Sequence, residues 1–161
     1  MVNDLIEIVS KEAALFESFL NLLEKQKEML VTNNLGGLTE VTAQQQEKLT
    51  ESRLLSKRRE ELVERIKAVN EIEGDLTVAR LLELVDDQQA DRLRHLKDLI
   101  LSLNAKIGET RNSNAMLLNQ SREFIARTMA ALARINSPEA TYTPSAVTAR
   151  TDSNIVVDRR A

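Results

Sequence analysis

One helical run outgrows every other element this chain can form. From Asp87 to Asn136 there is no proline and a single glycine, Gly108, so the stretch reads as one helix of about 75 Å. Two earlier runs, roughly Asn3–Thr32 and Leu38–Glu73, predict only about 45–55 Å each at the same rise. If the three pack side by side, roughly the last fifteen to twenty residues of the long run extend beyond the others, by that rise. That overhang is still amphipathic. An apolar stripe with no internal partner points to an external one.

Composition narrows the class. Aromatic residues make up 2% of the 161-residue chain and tryptophan is absent, which is thin for a globular core. Charged residues make up 29%, and Ala, Leu, Glu, Gln, Lys and Arg dominate, the profile of long helices and coiled coils. There are no cysteines, which removes disulfides and thiolate metal sites. A formal net charge of −3 gives no general attraction for nucleic acid or anionic membrane. No apolar run approaches the roughly 20 residues of a membrane span, so no membrane insertion is expected. The N-terminal MVNDLIEIVSKEAALF carries acids before any base and lacks a signal-peptide pattern. A cytoplasmic protein is the expectation.

The first run repeats every seven residues at Val2, Val9, Phe16, Leu23 and Leu30, with Ile6, Ala13 and Leu20 between them. This 3.5-residue period is that of long helices packed almost along one another. Asp4 and Glu7 have the spacing of a capping pair. Asn33-Asn34-Leu35-Gly36-Gly37 is expected to break the helix, since Asn and Gly tolerate left-handed backbone. The second run keeps heptad register at Val41, Leu55, Leu62 and Val69, with Ile66 beside them. Gln45, Lys48 and Ser52 occupy seam positions in its first half. The hairpin is therefore expected to be tight over Leu55–Ile72 and loose near Gly36-Gly37. Gly74 ends the run. A short leucine-rich turn (Leu76, Val78, Leu81, Leu82, Leu84) should plug the open end of the bundle. Asp86 and Asp87 suit the start of the long helix, as cap and dipole partner.

The long run has its own seam at Leu93, Leu96, Ile100, Leu103 and Ile107, turning polar at Thr110 and Asn114. The stripe then returns as Leu117, Leu118, Phe124, Ile125, Ala131, Leu132 and Ile135, alternating with Ser121 and Thr128. Large residues around small ones make knobs and recesses. The candidate binding surface is Leu117, Leu118, Ser121, Phe124, Ile125, Thr128, Leu132 and Ile135; the same stripe could equally serve as core or a homodimer seam. Arg111–Asn119 reads either as a solvated segment or as a hinge. Asn136-Ser137-Pro138 stops the helix. The expected division is a helical bundle over residues 1–137 and a flexible tail over 138–161, rich in Thr, Ser, Ala and Pro.

A search for chemistry returns little. His95 is the only histidine, which excludes histidine-based triads and multi-histidine metal sites. Arg92 stands where a di-iron bundle needs the glutamate of Glu-x-x-His. Asp86, Asp87 and Asp91 fit a helix start better than a hard-cation site. No glycine-rich phosphate loop exists. Lys57-Arg58-Arg59 is followed at once by Glu60-Glu61, as on a solvated face laced with i,i+4 pairs, and nucleic-acid binding would want stacking aromatics. No catalytic residue, metal site or cofactor is expected. Tyr142, the only tyrosine, is either a stray tail residue or a short linear anchor.

Several stretches together resemble the FlgN-type flagellar export chaperones. Glu28-Met29-Leu30, then Asn33 to Leu38 and Val41, is similar to the family's first turn. Thr77–Leu82 resembles its short middle helix. Asn114-Ala115-Met116-Leu117-Leu118, with Ser121 and Phe124-Ile125, resembles its C-terminal helix, and Thr141-Tyr142 its tail tyrosine. The likeness spans roughly residues 5–145. Gln45 or Gln46 replaces a lysine usual in the family, Arg111 an asparagine, and Pro144 the glycine after the tail tyrosine. The resemblance implies a non-enzymatic cytoplasmic chaperone. Such proteins bind unassembled hook-associated proteins 1 and 3, block premature assembly, and deliver them to the flagellar export gate and its ATPase-associated components. Tyr142 would then face the gate. The expected fold is all-α: an elongated antiparallel bundle of three long helices plus one short helix, with a disordered C-terminal tail. The alternative is a structural homodimeric coiled-coil or bundle protein with no client-delivery role.

Overall fold

The computed structural model describes residues 1–135, which form four helices and, among the described residues, no strand. They are α1 (Val2–Val31), α2 (Leu35–Val69), α3 (Val78–Glu83) and α4 (Asp87–Ile135). The three long helices and the short one follow the sequence pattern; their ends shift for local reasons. Gly36 and Gly37 do not break the chain. Asn33 takes the left-handed turn at φ 53°, and Asn34 caps α2 by accepting the Gly37 N–H at 2.9 Å. The glycines thus form the first turn of α2. A Cβ at Gly37 would meet Met29 Sδ and the Asn34 side chain, so a larger residue there displaces them.

At its other end α2 stops at Val69, before Gly74. Asn70 folds its amide back onto the Ile66 carbonyl at 2.8 Å, and Glu71 is left-handed at φ 52°. Such a side chain competes for the backbone and ends the helix. Asp4 and Glu7 do not cap α1. The helix begins at Val2, already inside the expected cap, and Asp4 instead meets the Met1 amine at 3.1 Å. Thr77 caps α3. Asp86 accepts the Gln89 N–H at 2.8 Å while Gln89 Oε1 faces the Asp86 N–H, a reciprocal cap on α4.

Two compact units are present, Met1–Ile125 and Ala126 onward. Within the first, hydrogen bonds between helices fix direction. From α1 to α2 the sequence separation grows from 19 at Gln26–Gln45 to 47 at Glu12–Arg59, as antiparallel neighbours require. From α1 to α4 it stays almost constant: 86 at Asn3–Gln89, 88 at Gln26–Asn114 and 91 at Leu23–Asn114. The first part of α4 therefore runs parallel to α1. Helix α1 serves both neighbours, so its buried face is wider than a single heptad seam. Leu5, Glu12, Leu15 and Leu22 join Ile6, Ala13, Leu20 and Leu23 inside.

The main core gathers Leu5, Ile6 and Ala13 of α1, Leu62 and Ile66 of α2, Leu81 of α3 and Leu93 and Leu96 of α4. Each such leucine or isoleucine contributes about 1.5–3 kcal/mol relative to exposure. Leu81 is the buried residue of α3, and Leu76, Leu82 and Val85 pack around it. The short helix is a plug, as its leucines foretell. The described part of the second unit is the final stretch of α4, residues 126–135, in which every residue is exposed.

Candidate functional site

The seam of α4 runs through Ala90, Leu93, Leu96 and Leu103, buried, with Ile100 and Ile107 half-buried. It ends on an amide. Asn114 is only 5% exposed, and its Nδ2 donates to the Leu23 carbonyl and to Gln26 Oε1, both at 2.9 Å. Gln26 Nε2 in turn donates to Gln45 Oε1 at 3.4 Å. One polar layer thereby joins α4, α1 and α2. It is incompletely satisfied: Asn114 Oδ1 and Gln45 Nε2 are buried and find no hydrogen-bond partner within the described residues. Asn114 is thus neither solvated nor a free hinge; the 111–119 stretch is pinned at its middle. Its seam position, three heptads after Leu93, was the available signal, because a polar residue at such a site specifies register. The same holds for Gln45.

A second polar tie joins α1 and α2. Arg59 turns inward, placing Nε 3.0 Å from the carboxylate of Glu12, which is buried on α1. The Lys57-Arg58-Arg59 run is therefore not wholly a solvated face. The other charged candidates have local roles: Asp86 caps α4, Asp91 pairs with Arg94 at 2.8 Å, and His95 is exposed.

Carrying the α1–α4 register forward by the 88-residue offset, α1 ends beside about residue 119 of α4, one residue advancing per residue on parallel helices. Residues 120–125 of the first unit lie past that point. The eight predicted binding residues all fall on α4. Leu117 and Ser121 are half-buried, while Leu118, Phe124 and Ile125 are exposed, Phe124 by 70%. In the second unit Thr128, Leu132 and Ile135 are exposed. Two methionines, Met116 and Met129, are exposed as well; their flexible thioethers suit an adaptable contact, and the leucine-centred pattern passed over them. Tyr142 lies outside the described residues, as does the 138–161 tail.

No group of three or more His, Asp or Glu side chains able to hold a metal occurs among the described residues, and no described helix is long and apolar enough to cross a membrane. What the arrangement offers is surface: a helical scaffold, tied by polar layers, that carries a row of exposed apolar side chains on its longest helix. Such a scaffold defines an all-helical bundle protein. The FlgN protein family matches the chain over residues 1–150, and the chain belongs to that family, the flagellar export chaperones. Comparison with curated proteins and with solved structures returns no match.

Proposed function

We propose that the protein binds unassembled hook-associated proteins 1 and 3 in the cytoplasm through the apolar face of α4, prevents their premature assembly and delivers them to the export gate and its ATPase-associated components. The observation that carries this reading is the exposure of large apolar residues along the end of α4, with Phe124 and Ile135 70% and 77% exposed. Membership of an export-chaperone family supports the role. An amphipathic client helix laid on the first-unit part of the row would bury Leu118, Phe124 and Ile125 beside the smaller Ser121, a helix-in-groove contact. The work is done by burial and shape, with no catalytic group engaged.

Binding of purified hook-associated protein to the full chain tests the assignment. Phe124→Ala should cost about 1–3 kcal/mol of affinity, as an aromatic anchor, with little change in Tm. Unaltered affinity removes the row from the site. A second copy of the chain could cover the same face, and sedimentation of the free protein distinguishes this: a dimer dispersed by Phe124→Ala replaces client delivery with a structural homodimer. We assign the gate contact to Tyr142. Tyr142→Ala should leave client affinity and Tm unchanged and weaken docking to the gate protein; undiminished docking removes that residue from the mechanism.

A further inference from the structure

A second apolar surface lies entirely within the first unit and carries a charge pattern of its own. Three cavities adjoin on α1 between α2 and α4. The first, about 440 Å³, is lined by Val9, Phe16, Ser52, Leu101 and Asn104 among others. The second, about 360 Å³, shares Phe16, Ser52 and Asn104 with it and adds Phe19, Leu49 and Ile107. The third, about 430 Å³, shares Phe19 and Arg111 with the second and reaches Leu30, Leu38 and Leu118. Shared walls make them one trough. Its floor on α1 runs from Leu5 to Leu30, about 37 Å at helical rise, room for a helix of about 25 residues. Two of the chain's three phenylalanines lie in that floor. Leucines stay exposed on the walls: Leu101 by 57% and Leu49 by 42%.

The charges are one-sided. Lys48, Arg59, Lys97 and Arg111 line the trough, with Glu12 the acid among its lining residues. Glu12 is taken up by Arg59 and Lys48 by Glu51, whereas Lys97 and Arg111 form no ion pair among the described residues. A chain with net charge −3 thus holds a basic rim along an apolar floor. Opposite charge at a rim steers and selects a partner, while the floor supplies the buried area.

We propose that the trough is a docking site for an amphipathic partner helix with acidic flanks, which completes α1, α2 and the first part of α4 as the fourth helix of a bundle. The site borders the row at the end of α4, with Leu118 common to both, and its phenylalanine floor and basic rim lie outside that row. Apolar side chains at heptad spacing on such a helix would meet Phe16, Phe19 and Ile107, and its flanking carboxylates would meet Lys97 and Arg111.

The test uses the full chain and a labelled synthetic helix of about 25 residues, leucine on its heptad seam and glutamate on both flanks, beside a sister peptide with lysine flanks. Fluorescence anisotropy should show the glutamate peptide bound, in a salt-sensitive manner, and the lysine peptide bound far more weakly. Lys97→Glu with Arg111→Glu, both exposed, should weaken the glutamate peptide about tenfold, from two rim pairs, and leave Tm unchanged. Leu101→Asp should weaken it as well, again without loss of Tm. Phe124→Ala should leave peptide binding intact, so that failure of the trough and failure of the α4 row are read separately. Equal binding of the two peptides, or indifference to the charge reversals, overturns the proposal. So does a wild-type dimer that the charge reversals disperse, since the occupant would then be a second copy. If truncation after Ile135 is needed before the glutamate peptide binds, the occupant is the chain's own C-terminal segment, and the proposal fails.

Discussion

The two ends of the first unit are built on different principles. Where α1 begins, α2 ends and α4 begins, Leu5, Ile6, Leu62, Ile66, Leu81, Leu93 and Leu96 close a continuous apolar core, with α3 as its plug. Where α1 turns into α2, the same three helices meet through Gln26, Gln45 and Asn114, and a cavity of about 430 Å³ stands open beside them. The first end is held by burial, which is strong and carries no direction. The second also buries Leu20, Leu22, Leu23 and Val41, and adds hydrogen bonds, which contribute less net stability but demand a geometry. The scaffold thus joins an apolar end to one whose polar contacts fix the register of α4.

Substitutions should separate the ends by magnitude. Ile66→Ala, at a side chain 1% exposed, removes most of a core residue; a loss of about 3 kcal/mol is expected in denaturant unfolding, from transfer and cavity terms. A loss below that of a polar-layer variant would refute the division of labour. Asn114→Ala should cost less, about 1 kcal/mol. It gives up two hydrogen bonds but also deletes an acceptor with no partner among the described residues, and unmade buried polar groups are themselves costly. Its clearer signature is amide exchange: protection should drop from residue 112 onward and remain unchanged around Leu93 and Leu96. A uniform drop along α4 would mean that Asn114 does not anchor locally. Gly108 should respond with the opposite sign. It lies inside α4 between the two ends, and a Cβ added there meets nothing within 4 Å. Gly108→Ala should stabilise by about 0.5–1 kcal/mol, through reduced backbone entropy of the unfolded chain, and raise Tm without altering exchange at either end preferentially.

Local chemistry made much of this readable. The heptads of α1 and the seam from Leu93 to Ile107 predicted helices that pack along their length, because a 3.5-residue period keeps one face inward over many turns. Asp86 marked a start that local hydrogen bonding enforces. The ends of α2 were misread where two signals competed. Gly36 and Gly37 break helices in isolation, yet Asn34 capped the chain before they could. Gly74 was an available stop, but Asn70 acted earlier.

Spacing groups the eight residues proposed on α4, since residues at steps of three and four share a face whatever lies opposite. Spacing alone could not decide what covers a face, because burial is a relation between elements. Only the tertiary structure showed that α1 lies between two partners and buries Glu12 and Leu15 outside its seam. The inward turn of Arg59 toward Glu12 depends on residues 47 positions apart, and the burial of Asn114 on a carbonyl 91 positions away. The sequence determined helix, period and amphipathic face, which follow from interactions within a few turns. The three-dimensional packing decided which polar residues became ties, which apolar residues stayed on the surface, and where a trough remained, because those outcomes depend on the distance between helices that no local pattern encodes.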